Sequence, residues 1–257
     1  MSTRFFALDQ RNADLKDLTD IYPEAGAEFR RRYAMSWYHH ENALEGIVLT
    51  EQELIQALEH HVVGDASLMS VLTIIRNHRA AYETIEVEAS SRKSKLTLPF
   101  LVGLYETLLR DTNPSAKEKA IFRKEMPLHR TYFHDIAQPA RIEGELEKVL
   151  KFTATAEFKE FHPVRQAAHV HWAVMQVFPF AEHNGKIARL LQTLYLQRAG
   201  YMPAIIPGVE RQRYYETLRN PPGALRSLLI ESIENTFEVA ERFVRSQRGG
   251  NRRAASH

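Results

Sequence analysis

An all-α fold is what the sequence predicts, on three observations. Apolar residues recur at helical spacing over residues 164–178 and again over 187–195. Helix-start residues open several further stretches. Residues 129–142 alternate poorly and are better read as a loop or short β-hairpin than as helix. With 257 residues, 44% of them hydrophobic and 26% charged, the composition is that of one large helical domain with a helical prefix, built on a single dominant core.

From the N-terminus, residues 1–20 show Arg4 and then a short apolar patch at 5–8. No run there or later approaches the roughly 18 apolar residues that a membrane helix needs. Cysteine is absent, so disulfides and thiolate metal sites are excluded, and cytoplasm is the expected compartment. Pro23 and Glu24 open a helix running to about Ala43, broken at Gly46. Thr50 and Glu53 form a capping box for a second helix toward His60. Residues 65–87 read as a third helix, and 90–95 as a polar connector marking a subdomain boundary. Thr97 and Pro99 are an N-cap and first-turn pair for a fourth.

Residues 129–142, ending near Pro139, read as a loop or short β-hairpin, followed by a helix over 144–153. The helix of residues 164–178 stops at Pro179. The next one begins after Asn184 and Gly185 and ends at Gly200. Residues 248–257, with Gly249 and Gly250, are expected to fray. The resulting division is a helical N-terminal region 1–95, a main domain 96–247 and a flexible tail 248–257.

Charge narrows the function. Thirty-four Lys and Arg against 32 Asp and Glu leave +2, no case for a phosphate backbone as partner. Adjacent residues diverge around a helix, so the pairs His39-His40 and His60-His61 predict no zinc site. His171, on an apolar helix face, is expected to be a satisfied core histidine.

The informative segment reads Phe178-Pro179-Phe180-Ala181-Glu182-His183-Asn184-Gly185-Lys186-Ile187-Ala188-Arg189. It resembles the Fic (fido) signature H-P-F-x-[D/E]-G-N-G-R-x-x-R, in register throughout. Phe178 stands at the position of the catalytic His, His183 at the first Gly and Lys186 at the first Arg. The resemblance extends over roughly residues 37–215, through Phe122-Arg123, His171, Gly200-Tyr201-Pro203, Tyr214 and Tyr215. Ala120 replaces a family Gly.

It implies a Fic helical core with a helical N-terminal extension and a short β-hairpin flap at 129–139 that positions a target protein. Glu41-Asn42-Ala43-Leu44-Glu45-Gly46 is similar to the family's inhibitory motif [S/T]-x-x-x-E-[G/N], with Glu41 where Ser or Thr is expected. Glu45 would then pair with Arg189 and consume the guanidinium needed by a terminal phosphate.

Each loop residue has an expected role. Backbone N–H groups around Asn184 and Gly185, at a helix N-terminus, form an anion site for phosphate. Glu182 would hold Mg²⁺ bridging the phosphates of ATP or another nucleotide. Arg189 would contact a terminal phosphate with its fork, and Lys186 would add charge without one. Phe178 cannot accept a proton, so ordinary AMP transfer is expected to be impaired or absent. His183 is the one candidate substitute, as base or nucleophile.

Two readings follow, a protein with altered or very slow transfer to a protein hydroxyl and a pseudoenzyme acting as an interaction module. A nucleic-acid regulator ranks below both, since a C-terminal winged helix is not expected. The motif fixes no dimer face, and a homodimer stays open.

Overall fold

A computed structural model describes residues 2–59, 69–91, 95–112, 121–127 and 134–254. The described helices are α1 (Ser2–Ile21), α2 (Pro23–Leu44), α3 (Glu51–Leu58), α4 (Met69–Ser90), α5 (Leu98–Leu109), α6 (Ile142–Thr153), α7 (Ala156–Glu160), α8 (Pro163–Val177), α9 (Asn184–Arg198), α10 (Arg211–Leu218) and α11 (Pro222–Ala254). Short 3-10 turns precede α6 and α10. No described helix is long and apolar enough to cross a membrane.

Helix α9 is the axis of the molecule. Every residue from Asn184 to Leu196 is buried, because α8, α4 and α5 pack around it. On its far side α8 meets α11 and α6, and α1 and α2 lie against α11. A helix covered on all sides must be apolar or carry paired polar groups. Its first two turns, bearing Lys186 and Arg189, take the second course.

The capping signals act where the sequence places them. The Thr50 hydroxyl accepts from the Glu53 backbone while the Glu53 carboxylate accepts from Thr50, closing the box reciprocally. Thr97 caps α5, with Pro99 in its first turn. Gly46 (φ +85°) and Gly200 (φ +79°) each end a helix in the left-handed region. At Gly46 the amide of Ile47 returns to the Asn42 carbonyl and that of Gly46 to the Ala43 carbonyl. This stop leaves Glu45 at the very end of α2.

Several elements depart from expectation. Residues 2–21 form α1, although they carry only Leu8 and Leu15 as buried anchors; Phe5 stacks on His162, and Arg4 and Arg11 pair with Glu234 and Glu241 of α11. Partners from the far end of the chain add to these few apolar anchors. Helix α11 runs to Ala254, past the point at 248 where fraying was expected. Two glycines in an otherwise helix-compatible run cost about 1 kcal/mol each and do not by themselves end it.

The expected β-hairpin is not seen. Residues 128–133 lie outside the described residues, residues 134–138 run as a non-helical segment, and no strand occurs among the described residues. This segment is tied to the end of α8, with the Ala137 amide donating to the Gln176 carbonyl at 3.0 Å and a His134 ring nitrogen 2.9 Å from the Met175 carbonyl. His60, His61, residues 65–68 and Ala120 also lie outside the described residues.

Candidate functional site

The loop between α8 and α9 is braced at both ends. Phe178 caps α8 in the left-handed region (φ 49°) and is buried, while His183 precedes α9 in the same region (φ 63°). The Asn184 side chain closes the loop on itself, accepting from the Phe180 amide at 2.9 Å and donating to the Phe180 carbonyl at 2.8 Å. Phe180 is fully buried and stacks on Tyr105, with ring centroids 4.2 Å apart.

Arg123 fastens the loop from outside. Its Nε donates to the Phe178 carbonyl at 2.7 Å, its amide to the Pro179 carbonyl at 2.9 Å, and its Nη2 to the Ala137 carbonyl. One guanidinium thus joins the signature loop to the segment expected to be the flap.

The first turn of α9 faces the end of α2. Gly185 lies so close to this helix that a Cβ on it would stand 2.6 Å from Glu45 Oε1 and 2.9 Å from Arg189 Nη1. Arg189 is 1% exposed and spends its donors on protein groups: Nε to Glu41 Oε2 at 2.6 Å, Nη2 to Glu45 Oε1 at 2.6 Å, and Nη1 to the Tyr214 hydroxyl at 3.4 Å. Lys186, equally buried, donates from Nζ to Asn42 Oδ1 at 3.0 Å. A carboxylate therefore occupies the space above Gly185 where the helix N-terminus favours an anion.

Burial dominates the electrostatics of this cluster. It pulls Lys186 down to about 8, although Glu45 and Glu41 oppose the shift. It pushes the Glu41 carboxyl above the usual carboxylate range against the pull of Arg189. Burial works against ionised Glu45 as well, but there the Arg189 charge and hydrogen bond win and the carboxyl lies below its usual value. His183 is held low by burial and by Lys186.

His171 is buried and doubly bonded, Nδ1 to Gln192 Oε1 at 2.5 Å and Nε2 to the Tyr214 hydroxyl at 2.8 Å. Burial takes it down to about 3. It is the satisfied histidine expected, yet through Tyr214 it also steadies the group beside Arg189.

The end of α2 is itself fixed. The Leu44 carbonyl accepts from Arg211 Nε at 2.8 Å and from the Tyr215 hydroxyl at 3.2 Å, and Gly208 fits against Ala43, where a Cβ would come within 2.7 Å. Glu182 and His183 stand at the mouth of the loop, with Nε2 of His183 3.9 Å from Glu182 Oε2. The Glu182 side chain is about half exposed. Among the described residues no group of three or more His, Cys, Asp or Glu is placed to hold a metal.

Of the residues singled out from sequence, Glu45, Gly185, Lys186 and Arg189 meet in one cluster, Asn184 braces the loop, and Glu182, His183 and Phe178 surround it. Glu41, Asn42 and the hydroxyl of Tyr214 were not foreseen as partners. Their one advance signal is spacing: Glu41 and Glu45, four apart, share a helix face.

An all-helical bundle that presents a P-F-x-E-x-N-G loop at the start of its buried central helix defines a Fic-type fold. Residues 95–196 match the Fic/DOC family model. It is 26% identical over 220 residues to the protein adenylyltransferase Fic of Aedes aegypti, covering 84% of this chain and 42% of that protein. The corresponding Drosophila virilis protein is 25% identical over 221 residues, with 84% and 43% covered. The chain spans less than half the length of these curated relatives.

Its fold is that of a Fic domain containing signaling protein from Bacteroides thetaiotaomicron, at a TM-score of 0.75 and 23% identity, covering 93% of this chain and 98% of that one. Fic-1 of C. elegans (residues 134–508) superposes at 0.73 with 20% identity, covering 95% and 74%.

Proposed function

We propose that this chain is a Fic-type protein that keeps a phosphate-binding loop for ATP or another nucleotide, obstructed by its own α2, and that ordinary AMP transfer is absent or very slow. The observation that carries the reading is the carboxylate of Glu45 above Gly185, paired at 2.6 Å with Arg189. A largely shielded anion beside two buried cations at a helix N-terminus marks a place built for negative charge. In the relatives named protein adenylyltransferase the ligand is an adenylyl donor, and the same ligand class is proposed here.

Glu182 suits a role in holding Mg²⁺. One carboxylate at the loop mouth, together with waters and the phosphates of the ligand, is a donor set this ion accepts. When bound, the ion would neutralise phosphate charge. A target protein would dock along residues 129–139, next to the loop, and offer a hydroxyl. Neither a nucleic acid nor a membrane surface is invoked.

Phe178 accounts for the impairment. It stands where the family carries the histidine that takes the proton of the target hydroxyl, and a phenyl ring has no site for it. General-base catalysis contributes about 10² to 10⁴ in rate, roughly 3 to 5 kcal/mol of barrier, so positioning alone leaves residual or altered transfer. His183, held neutral beside the loop, is the candidate substitute. The second reading, a pseudoenzyme that binds a partner without chemistry, follows from the same phenyl ring.

Calorimetric titration of ATP with Mg²⁺ tests the pocket. Glu45→Gly should bind more tightly than wild type, and Arg189→Ala in that background should abolish the gain. Incubation with ATP, CTP, GTP or UTP and cell lysate, read by mass spectrometry, then reports any transfer. Binding by none of the variants would leave the interaction module as the function.

A further inference from the structure

The obstruction has two carboxylates. Glu41 and Glu45 lie four residues apart near the end of α2, and both reach Arg189, one at Nε and the other at Nη2, each at 2.6 Å. The two bonds use different nitrogens of the guanidinium. Loss of the Glu45 contact therefore leaves the Nε contact intact.

The settings of the two acids differ. The Glu41 side chain is 3% exposed and that of Glu45 18% exposed. Glu41 lies within the helix, whereas Glu45 sits at its end beside Gly46, where a carboxylate can swing away without moving the helix axis. An ion pair closed off from water on both sides is strongly held, because removing one partner strands a buried charge. Asn42, between them, holds Lys186 through its Oδ1, so a single turn of α2 engages both cations of the loop.

Charge makes the difference consequential. With Glu41, Glu45, Lys186 and Arg189 all ionised, the cluster sums to zero. Without Glu45 it carries one net positive charge, and without both acids two. A triphosphate entering a buried, low-dielectric site responds steeply to that second charge.

We infer that Glu41 is a second lock on the anion site and sets its charge: it keeps Arg189 paired when Glu45 is displaced, so that full opening toward a nucleotide triphosphate requires the release of both carboxylates. This inference rests on the reading of the loop as a phosphate site and deepens it. In this chain the residue four positions before the inhibitory-type Glu is an acid with a partner in the site, and it acts on ligand affinity rather than on chemistry.

The test is calorimetric titration of ATP with Mg²⁺ into wild type, Glu41→Ser, Glu45→Gly and Glu41→Ser/Glu45→Gly, each first shown folded by thermal melting. Glu41→Gln, which keeps the shape and a carbonyl acceptor while removing the charge, replaces the serine variant should that variant melt at assay temperature. The expected result is a modest gain for Glu45→Gly, none for Glu41→Ser, and a further gain of about tenfold or more for the double variant. Full tightening by Glu45→Gly, with less than a twofold addition from Glu41, overturns the second lock and leaves the phosphate site standing. Failure of the double variant to bind, while folded, overturns both.

Discussion

Oε1 of Glu45 lies 2.6 Å from the point where a Cβ on Gly185 would stand, so the end of α2 touches the backbone of α9 with nothing between them. The glycine is required here for closeness, since it is absent from the left-handed glycines. Gly185→Ala should therefore destabilise the protein through overpacking, by about 1–3 kcal/mol in urea denaturation. Adding Glu45→Gly should return much of that loss. Equal losses in both backgrounds would separate the glycine from Glu45.

Arg189 balances one buried and one part-buried acid. Arg189→Ala should cost about 3–5 kcal/mol of unfolding free energy, because it leaves Glu41 and Glu45 with Lys186 as their one nearby cation and no hydrogen-bonded partner. Combining it with Glu41→Gln and Glu45→Gln should recover part of the cost. The comparison in urea of wild type, Arg189→Ala, Glu41→Gln/Glu45→Gln and the triple variant measures how much of the loss is stranded charge and how much is lost packing.

Phe178 holds a left-handed backbone that suits His better than Phe. Phe178→His should leave the melting temperature near that of wild type and, alone, yield little transfer, since Arg189 remains paired. In the Glu41→Ser/Glu45→Gly background it should raise the rate of nucleotide transfer by about 10² to 10⁴. A radiolabel or mass-shift assay with ATP reads the outcome. No rise in the open background would place the barrier elsewhere than at the missing base.

Two buried histidines make stability sensitive to acid. Burial takes His171 down to about 3 and His78 well below its ordinary value, so neither is protonated in the folded state near neutrality. The unfolded chain protonates both below about 6.5, so the unfolded state binds more protons and stability falls as pH drops through that value. His171 contributes a loss of about 2 kcal/mol between pH 6.5 and 5, and His78 adds to it in the same direction.

His78 is the better probe, because neither of its ring nitrogens has a hydrogen-bond partner and its ring packs against Trp37 and Tyr38. His78→Phe should stabilise the protein by about 1–3 kcal/mol at pH 7 and flatten the acid slope by its own share. Urea midpoints at pH 7, 6 and 5 check both effects.

How much of this was legible depended on how local the signal was. The helices flanking the loop, the capping box at Thr50 and Glu53, and the stops at Gly46 and Gly200 follow from residues within a few positions of one another. Helix α1 was missed because its contacts are long-range: Leu8 and Leu15 are buried without a continuous apolar stripe, and Arg4 and Arg11 reach α11 at a separation of 230 residues. Helix α11 lay beyond the motif that directed attention to the core. The pairing of Glu45 with Arg189 could be anticipated only because the motif resembles a family pattern. Nothing in the spelling of Glu41 said that it would join it.

The sequence by itself determined a helical chain, a left-handed stop at Gly46 that ends α2 beside an acid, and an Asn-Gly start to an apolar helix bearing two cations. Those are consequences of backbone preference and side-chain period. Only the tertiary structure decided that Glu41 as well as Glu45 closes on Arg189, that Asn42 takes Lys186, and that Tyr214 links Arg189 to His171. The physical reason is that Glu41 and Arg189 are 148 residues apart, and whether two such groups share a dry interior is set by how whole helices pack.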